Sequence, residues 1–540
     1  MNVKNKAWPI IFLVLFLLSC AGEKVDRSHL KVFHYNQPNS VTSLDPAFAR
    51  SQNNIWAVDH LYNALVQLDD TLNVRPCLAH SWDLSDDGLT YTFHLRDDVY
   101  FHDDPAFENG KGRKLLAQDV VYSLGRILDK KVGSPGGWIF KGKIAEEQPF
   151  SAPDDSTFVL KLKAPFRPMM GILTMQYCCV VPREAIEKYG KTFREHPVGT
   201  GPFQFKRWME NQALFLKKNE NYFEKDQGRQ LPLVDGIRLS FINDRKTAYL
   251  ELMNGRIDFM SGLESSFINE LLTPDGELQY NLRDQLQFLK SPYLNMEYLG
   301  FNMQSKTPNN PLLIKEVRQA LNYGIDRDLM LRTMRNDVGK AADSGFTPRG
   351  LPSHDPSIVK GYQYDPDKAS QLLADAGFPN GEGMPEIKLM TNKDYEDLCT
   401  FCARQWEDLG IPVKVDILES ATLREMMSKG QADFFRASWI ADYPDPETFV
   451  TMFYGKHPAP PNYTRFRNAE LDVLYEKALL ENDDVLRKAL YQEMDRILIE
   501  EAPVVFLFYD ETAVFAKRSI EGLSRNAVNL LSVKRIEKVD

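Results

Sequence analysis

The fold is decided by three short apolar segments: IKLMTN (387–392), VKVDIL (413–418) and ADFFRASW (432–439). Two stretches with helical periodicity, 394–409 and 421–429, separate these segments. Strands that alternate with helices in this way form a mostly parallel sheet with helices on its faces. The region therefore predicts an α/β lobe, and its last strand leads directly into the segment SWIADYPDPE (438–447).

The segment 438–447 is a stiff acidic loop at the end of that last strand. Pro444 and Pro446 fix their φ angles and lack backbone donors, so neither a strand nor a helix continues through them. Open α/β sheets bind their ligands at the carboxyl ends of the strands. We therefore expect Trp439 and Asp442 at the wall of a ligand site, with a solvated loop as the alternative interpretation.

The rest of the chain predicts a second α/β lobe with a β-rich insert. The turn DDG (86–88) before the alternating segment 89–95 is typical of a hairpin. Asp365 before Pro366 is a helix start, with an acidic N-cap and a proline in the first turn. Other predicted elements are a strand at 30–35, helices at 54–68, 114–128, 312–330 and 472–500, and a return strand at 503–509.

This order of elements places one α/β lobe before the β-rich insert and another after it, with a return strand at the end. Two lobes that the chain crosses more than once form a hinge and a cleft. At 540 residues the chain is long enough for two to four packing units. The sequence thus predicts a ligand site between two lobes.

The composition and motifs argue against several classes of protein. The net charge is −10, and there is no basic block or basic–aromatic interleaving, which argues against a nucleic-acid binder. Neither a Gly-x-Ser-x-Gly nor a His-Glu-x-x-His motif occurs, so we expect no hydrolase. The turn VGTGP (198–202) lacks the Gly-Lys-Ser/Thr that closes a phosphate loop. The nine histidines include no pair spaced to bind a metal on one helix face, and we expect neither a metal nor a cofactor.

The cysteines are too few and too sparse for a disulfide framework. Beyond Cys20 there are five of them: Cys77, Cys178, Cys179, Cys399 and Cys402. The last two form a C-x-x-C whose spacing falls on one face of a predicted helix. We interpret them as structural, with a redox or metal role as the alternative.

The N-terminus has the pattern of a lipoprotein signal peptide. Lys4 and Lys6 precede a run of apolar residues at 7–18, which is too short to span a membrane but fits a secretory signal. Ser19 before Cys20 resembles a bacterial lipobox, in which the cysteine is lipidated and starts the mature chain. We therefore predict a signal peptide at 1–19 and a tether at 20–29, with an ordinary signal peptide as the alternative.

Six motifs in order resemble one family. They are SLDP (43–46), AQDVVYS (117–123), VGTGPF (198–203) with Trp208, YLGFN (298–302), EVRQALNYGIDR (316–327) and WIADYPDP (439–446). Together they are similar to hallmarks of the bacterial oligopeptide and dipeptide solute-binding proteins of ABC transporters. The resemblance extends over residues 30–530, and many members of the family are lipoproteins.

The resemblance implies an α/β fold of the two-lobed, periplasmic-binding-protein-like type (class II), with an extra α+β domain inserted in the first lobe. The implied boundaries are lobe 1 at 30–65, the inserted domain at 66–190, lobe 1 again at 191–295, lobe 2 at 296–500 and a return of lobe 1 at 501–540.

The resemblance also implies a function: the substrate-binding component of an ATP-driven importer, and not an enzyme. Such a protein captures short peptides in a closing cleft and delivers them to the ABC permease and ATPase subunits. We expect an exported monomer, anchored through its lipid to a bacterial membrane and facing the periplasm or the cell exterior. The same fold also binds metal chelates, haem, oligosaccharides or opines, which remain alternatives, as does a secreted enzyme.

The implied ligand contacts come from both lobes. Asp442 matches an aspartate that pairs with the α-ammonium of the peptide, and such a charge-assisted bond is worth about 1.5–3 kcal/mol. The backbone at Ser438 and Ile440 matches positions that pair with an extended peptide. The remaining candidates are Trp439 beside them, Ser40 and Val41 in the first lobe, and Arg349 as a partner of the ligand carboxylate, with a plain surface arginine as the alternative for the last.

Overall fold

The computed structural model describes residues 30–262 and 268–539. The predicted signal peptide, Cys20 and the tether lie outside these residues. The described α-helices are Gln52–Leu61, Ala117–Leu128, Met169–Ile172, Arg183–Tyr189, Arg245–Met253, Ile268–Leu271, Lys315–Tyr323, Arg327–Arg335, Pro366–Asp375, Glu396–Glu407, Ser420–Lys429, Glu447–Val450, Ala469–Leu480 and Asp484–Glu501.

The described strands are Val32–Asn36, Val66–Leu68, Val74–Pro76, Ala79–Leu84, Thr90–Leu95, Phe150–Ser151, Thr157–Lys161, Phe203–Met209, Ala213–Lys218, Lys225–Asp226, Arg229–Gln230, Gly236–Ser240, Phe259–Ser261, Leu286–Phe301, Lys340–Ala341, Ile387–Thr391, Val413–Ile417, Phe434–Ile440, Val504–Lys517, Ile520–Glu521, Ser524–Arg525, Leu531–Ser532 and Glu537–Lys538.

One mixed sheet runs through both lobes. Its order, given by the first residue of each strand, is 413, 387, 434, 286, 504, 259, 32, 236, 213 and 203. We call the part from 413 to 434 the second lobe and the part from 259 to 203 the first lobe. The predicted parallel arrangement is confirmed: Ile387–Thr391 runs parallel to Val413–Ile417 and meets Phe434–Ile440 in parallel at one pair of residues.

Two long strands, Leu286–Phe301 and Val504–Lys517, connect the lobes. The first pairs with the second-lobe strand from Asn295 onward, and the second pairs with the first-lobe strand Phe259–Ser261 near its other end. Their mutual antiparallel ladder is irregular between Pro292 and Met296, where the sheet passes from one lobe to the other. The predicted return strand is therefore only the first half of a longer strand, and that half still pairs within the second lobe.

A four-stranded antiparallel sheet forms the insert, in the order Ala79–Leu84, Thr90–Leu95, Thr157–Lys161 and Phe150–Ser151. The predicted hairpin after the turn at 86–88 is confirmed by the pairing of the first two of these strands. Helix Ala117–Leu128 buries its apolar side in the same hydrophobic cluster that fills the first lobe. The insert and the first lobe thus share one core.

Two predicted long helices are each divided in the structure. The stretch 312–330 forms helices Lys315–Tyr323 and Arg327–Arg335, and the side chain of Asp326 caps the second by accepting from the amide of Leu329 at 2.8 Å. The stretch 472–500 divides in the same way at Asp483, which accepts from Val485 and Leu486. In both stretches the apolar spacing continues across the break, and the capping residue marks where the second helix begins.

The predicted helix at 54–68 is also shorter, since helix Gln52–Leu61 ends before strand Val66–Leu68. Its end is held by the turn at 198–202. The amide of Gly201 donates to the carbonyl of Leu61 at 3.0 Å, and a Cβ on Gly201 would lie 2.3 Å from the carbonyl carbon of Leu61. The turn is followed by strand Phe203–Met209, so its glycines serve close packing of backbone against backbone.

The five cysteines beyond Cys20 are buried free thiols. Cys399 and Cys402 lie, as predicted, on the buried face of one helix, Glu396–Glu407. Within the two described ranges, no helix has the length and apolarity needed to cross a membrane.

Candidate ligand-binding site between the lobes

A cavity of about 1080 Å³ lies between the two lobes. Helix Gln52–Leu61 and the C-terminal segment 524–535 form its first-lobe wall, while Ile440 to Pro444 form its second-lobe wall. The insert contributes Trp138 and residues 174–177. All three parts of the protein therefore contribute to one site, which is where a two-lobed fold is expected to hold its ligand.

The second-lobe wall carries an open strand edge. Strand Phe434–Ile440 pairs along its length with Leu286–Phe301 on one side, but its other side meets Ile387–Thr391 only at Phe435. The amide of Ala441 donates toward the paired side, to Leu294 at 2.8 Å. Because backbone groups alternate along a strand, those of Ser438 and Ile440 face the open side. This edge can accept an added strand.

Asp442 places a carboxylate in the cavity just beyond this edge. Its side chain is reached by solvent from the cavity, yet protein surrounds it on most sides, and this burial raises the pKa of Asp442 to about 6. The charge of Glu447 raises it further, and Lys143 of the insert acts against both. Among residues 30–262 and 268–539 the carboxylate has no hydrogen-bond or ion-pair partner. It has no direct partner in this part of the chain, although the charge of Lys143 acts on it.

The loop that carries Asp442 is held by buried acids behind it. Asp445 accepts two hydrogen bonds from the guanidinium of Arg487, at 2.8 and 2.9 Å, and Glu447 accepts from the hydroxyls of Tyr443 and Tyr475. Asp445 also accepts from the amide of Glu447 at 2.9 Å and so starts helix Glu447–Val450. Two of the three loop acids are thus structural, and only the third is left for a ligand.

The insert contacts this loop from the opposite side of the cleft. A Cβ on Gly171 would lie 3.4 Å from Cδ of Pro444, and Tyr443 packs in the core that the insert shares with the first lobe. Outside the cavity lining, Arg167 of the insert also forms an ion pair of 2.7 Å with Asp484 of the second lobe. The two walls of the cavity are therefore already in contact at one side.

The floor of the cavity, within the first lobe, carries a second acid. Asp59 lines the cavity, and its Oδ1 accepts from Nε2 of Gln176 at 3.3 Å. Burial raises the pKa of Asp59 to about 6, with Lys534 and Gln176 acting in the opposite direction. Lys534 itself donates to Glu224 at 2.5 Å and to Gln67 at 2.8 Å. We call these five residues the floor cluster.

The basic side chains of the cavity are mostly paired with acids. Arg75 forms an ion pair with Asp69 at 2.8 Å, and Arg535 approaches Asp226 at 3.7 Å. Arg50, by contrast, is exposed at the wall of the cavity and makes no ion pair or side-chain hydrogen bond with a described residue. Burial raises the pKa of Tyr177, which Arg50 lowers and Asp442 raises, so these three side chains lie close enough to affect one another.

The residues predicted from sequence are placed in three ways. Asp442 and Ile440 line the cavity, and Ser438 and Trp439 lie on the strand that leads to it without lining it. Ser40 and Val41 follow the first-lobe strand Val32–Asn36, outside the cavity lining, and Val41 is buried. Arg349 lies 3.8 Å from Glu511 and also outside the cavity. No structure with a ligand tests these roles, so they stay predictions.

Sequence reasoning did not select Arg50, Asp59 or Tyr177. The signal that was present is the position of Asp59, an acid in line with the apolar positions of its helix, where a charge is unusual without a function. No comparable sequence signal indicated Arg50 or Tyr177. Their positions at the cavity depend on how the C-terminal segment and the insert pack against helix Gln52–Leu61. Among the described residues, no group of three or more histidine, cysteine and acidic side chains is arranged to hold a metal ion.

Residues 73–460 match the family described as "Bacterial extracellular solute-binding proteins, family 5 Middle". The chain belongs to this family. Heme-binding protein A of Haemophilus influenzae is 30% identical over 464 residues, which cover 82% of this chain and 80% of that protein. The structure of HbpA2 from Haemophilus parasuis matches with a TM-score of 0.82 at 23% identity, over 94% of this chain and 99% of that one.

DppA from Helicobacter pylori, an ABC transporter-associated periplasmic binding protein in complex with the peptide STSA, is similar with a TM-score of 0.73 and 27% identity, covering 94% of this chain and 98% of that one. The predicted two-lobed α/β fold is confirmed. The protein is the solute-binding component of an ABC importer, an exported transport protein and not an enzyme.

Proposed function

We propose that the protein captures short peptides that have a free α-ammonium group and delivers them to the permease of its importer. The observation that carries the proposal is the Asp442 carboxylate, which faces the cavity between the lobes without an ion-pair or hydrogen-bond partner among the described residues. Protein surrounds this carboxylate on most sides, and the ammonium group of a peptide that enters the cavity would supply a direct partner.

The open edge at Ser438 and Ile440 supports an extended ligand. An added strand would satisfy the outward backbone groups of both residues, and it would direct its amino terminus to the carboxylate just beyond them. Backbone pairing does not depend on side chains, so this mode suits a receptor that accepts many peptide sequences. Arg50, on the wall of the same cavity, is the cation we propose for the ligand carboxylate, in place of Arg349.

We also propose that the protein reaches its importer as a lipoprotein, with Cys20 lipidated after removal of residues 1–19. The support is the lipobox pattern in the sequence alone, because these residues lie outside the described ranges. A lipid at this position would hold the receptor at the membrane surface, close to the permease.

Substitution of Asp442 by asparagine tests the peptide proposal, because it removes the charge and keeps the size. We expect the variant to bind peptides with a free amino terminus about 10- to 100-fold more weakly, as measured by titration calorimetry. Binding of N-acetylated peptides, which we expect to be weak in the wild type, should change little. Asp394→Asn removes the same charge from an exposed turn outside the cavity and serves as the matched control.

Equal losses of affinity for free and acetylated peptides would contradict the proposed role of Asp442. A broad screen in which no peptide raises the thermal midpoint of unfolding would contradict the peptide proposal itself, since a ligand that binds only the folded state must raise it.

Haem is the second candidate ligand. Its support is the relative named Heme-binding protein A, together with several tyrosines among the cavity lining, since a phenolate can bind haem iron. Titration with haemin would then produce a saturable shift of the Soret band, and peptides would not compete with it.

A further inference from the structure

The floor cluster lies near the buried end of a helix that lines the cavity. Gln52, Ile55 and Asp59 share one face of helix Gln52–Leu61 and line the cavity. The helix begins at an exposed residue, Ser51, and ends among buried residues. The seven steps from Gln52 to Asp59 correspond to a rise of about 10 Å, so the cavity follows the helix over that length.

The charges at this floor do not balance. Two carboxylates, Asp59 and Glu224, share the ammonium of Lys534, and the geometry commits it to Glu224 at 2.5 Å. The only hydrogen bond that Asp59 accepts from a described residue comes from the amide of Gln176. The neighbouring Cys77 does not offset this charge, and burial raises the pKa of its thiol to about 12, so it is neutral near pH 7. One negative charge remains at the floor.

We propose that the ligand carries a second cationic group, of the lysine or arginine side-chain type, which reaches into the floor of the cavity and pairs with Asp59. This inference rests on the proposed function and narrows it from short peptides to short basic peptides. The α-ammonium occupies Asp442 at the second-lobe wall, and the side-chain cation occupies Asp59 at the first-lobe floor.

The two carboxylates lie on either side of one short turn. Gln176 donates to Asp59, and the next residue, Tyr177, is close enough to Asp442 for the charge of that carboxylate to raise the pKa of its phenol. Consecutive residues of one turn therefore lie near both acids, and both acids line the same cavity, so one ligand can reach the two carboxylates. Tyr222 and the buried thiol of Cys77 line the cavity beside the floor cluster, a surface that suits the apolar stem of a long basic side chain.

The test compares lysine with norleucine, which has the same stem without the ammonium, at each position of an otherwise alanine tripeptide. We expect the wild type to prefer lysine about 10- to 100-fold at one position. Asp59→Asn should reduce that preference to within about threefold, while leaving the discrimination between free and acetylated amino termini intact. That retained discrimination shows that the variant is folded and its cleft is assembled.

Asp70→Asn is the matched control, because Asp70 lies in the same cavity but already accepts from the hydroxyl of Ser524. It should keep the lysine preference. Two results would overturn the inference while binding still depends on Asp442. One is a wild type with no preference for lysine at any position, and the other is an Asp59→Asn variant that keeps the preference. If no peptide binds, the proposed function and this inference fail together.

Discussion

The affinity for a peptide should fall as the pH is lowered from 7 to 5. The pKa of Asp442 in the ligand-free protein is raised to about 6, so at pH 5 most molecules carry a proton where the ligand ammonium must bind. The bound ammonium favours the ionised form, and the dissociation constant is therefore multiplied by 1 + 10 raised to the power (pKa − pH). This factor is about 11 at pH 5 and about 1.1 at pH 7, which is a tenfold weakening or roughly 1.4 kcal/mol.

The direction of this pH dependence follows from the change in the pKa of Asp442 when the ligand binds. Binding lowers the pKa of a carboxylate that gains a cation, so the stabilisation is complete above the ligand-free pKa and is lost as the pH falls through it. Because the pKa of Asp59 is also raised to about 6, a basic peptide that uses both acids should weaken about 100-fold over the same interval. His60 does not contribute to this change, because burial lowers its pKa to about 3.

Titration calorimetry at pH 5, 6 and 7 measures this dependence. Higher pH is avoided because the α-ammonium of the peptide itself begins to titrate near 7.7–8.0. Asp442→Asn should abolish the tenfold change in the dissociation constant that Asp442 causes. For a basic peptide, the tenfold change caused by Asp59 should remain. A dissociation constant that stays the same from pH 5 to 7, or an unchanged slope in the variant, would refute the role assigned to the carboxylate.

Three further predictions concern stability and export. Arg436→Met should lower the free energy of unfolding by about 3–5 kcal/mol, because Glu297, which is 3% exposed, is left buried without its cation. Gly201→Ala should cost about 1–3 kcal/mol, since its Cβ has no room against backbone, whereas Gly125→Ala, with open space in a helix, should stabilise by up to about 1 kcal/mol. The full chain made in bacteria should incorporate labelled palmitate, and Cys20→Ser should not.

Each of these has a control. Adding Glu297→Gln to Arg436→Met should recover part of the loss in urea unfolding, and a double variant as unstable as the sum of the single ones would contradict the buried-pair argument. The two glycine variants are controls for each other. Similar changes in the free energy of unfolding would show that the close backbone contact at Gly201 does not account for the cost. If the Cys20→Ser variant still incorporated the label, the lipid would be attached at another residue and lipidation of Cys20 would be refuted.

Local signals in the sequence predicted the individual elements where one interaction dominates. Asp365 caps helix Pro366–Asp375 as predicted, with its side chain accepting from the amide of Lys368 at 2.9 Å. The alternation of strands and helices after residue 387 likewise predicted a parallel sheet. The division of 312–330 was missed because the apolar pattern continues through Gly324, although the N-cap Asp326 is a local signal for the start of the second helix.

The sequence by itself determined the α/β character of the second lobe, the position of the stiff loop at its edge and Asp442 within that loop. These follow from the spacing of apolar residues and from two prolines, which act within a few residues along the chain. Only the tertiary structure decided that Asp445 and Glu447 are used to hold the loop while Asp442 stays unpaired. It also brought Asp59 into the same cavity, because that meeting depends on contacts between segments more than a hundred residues apart.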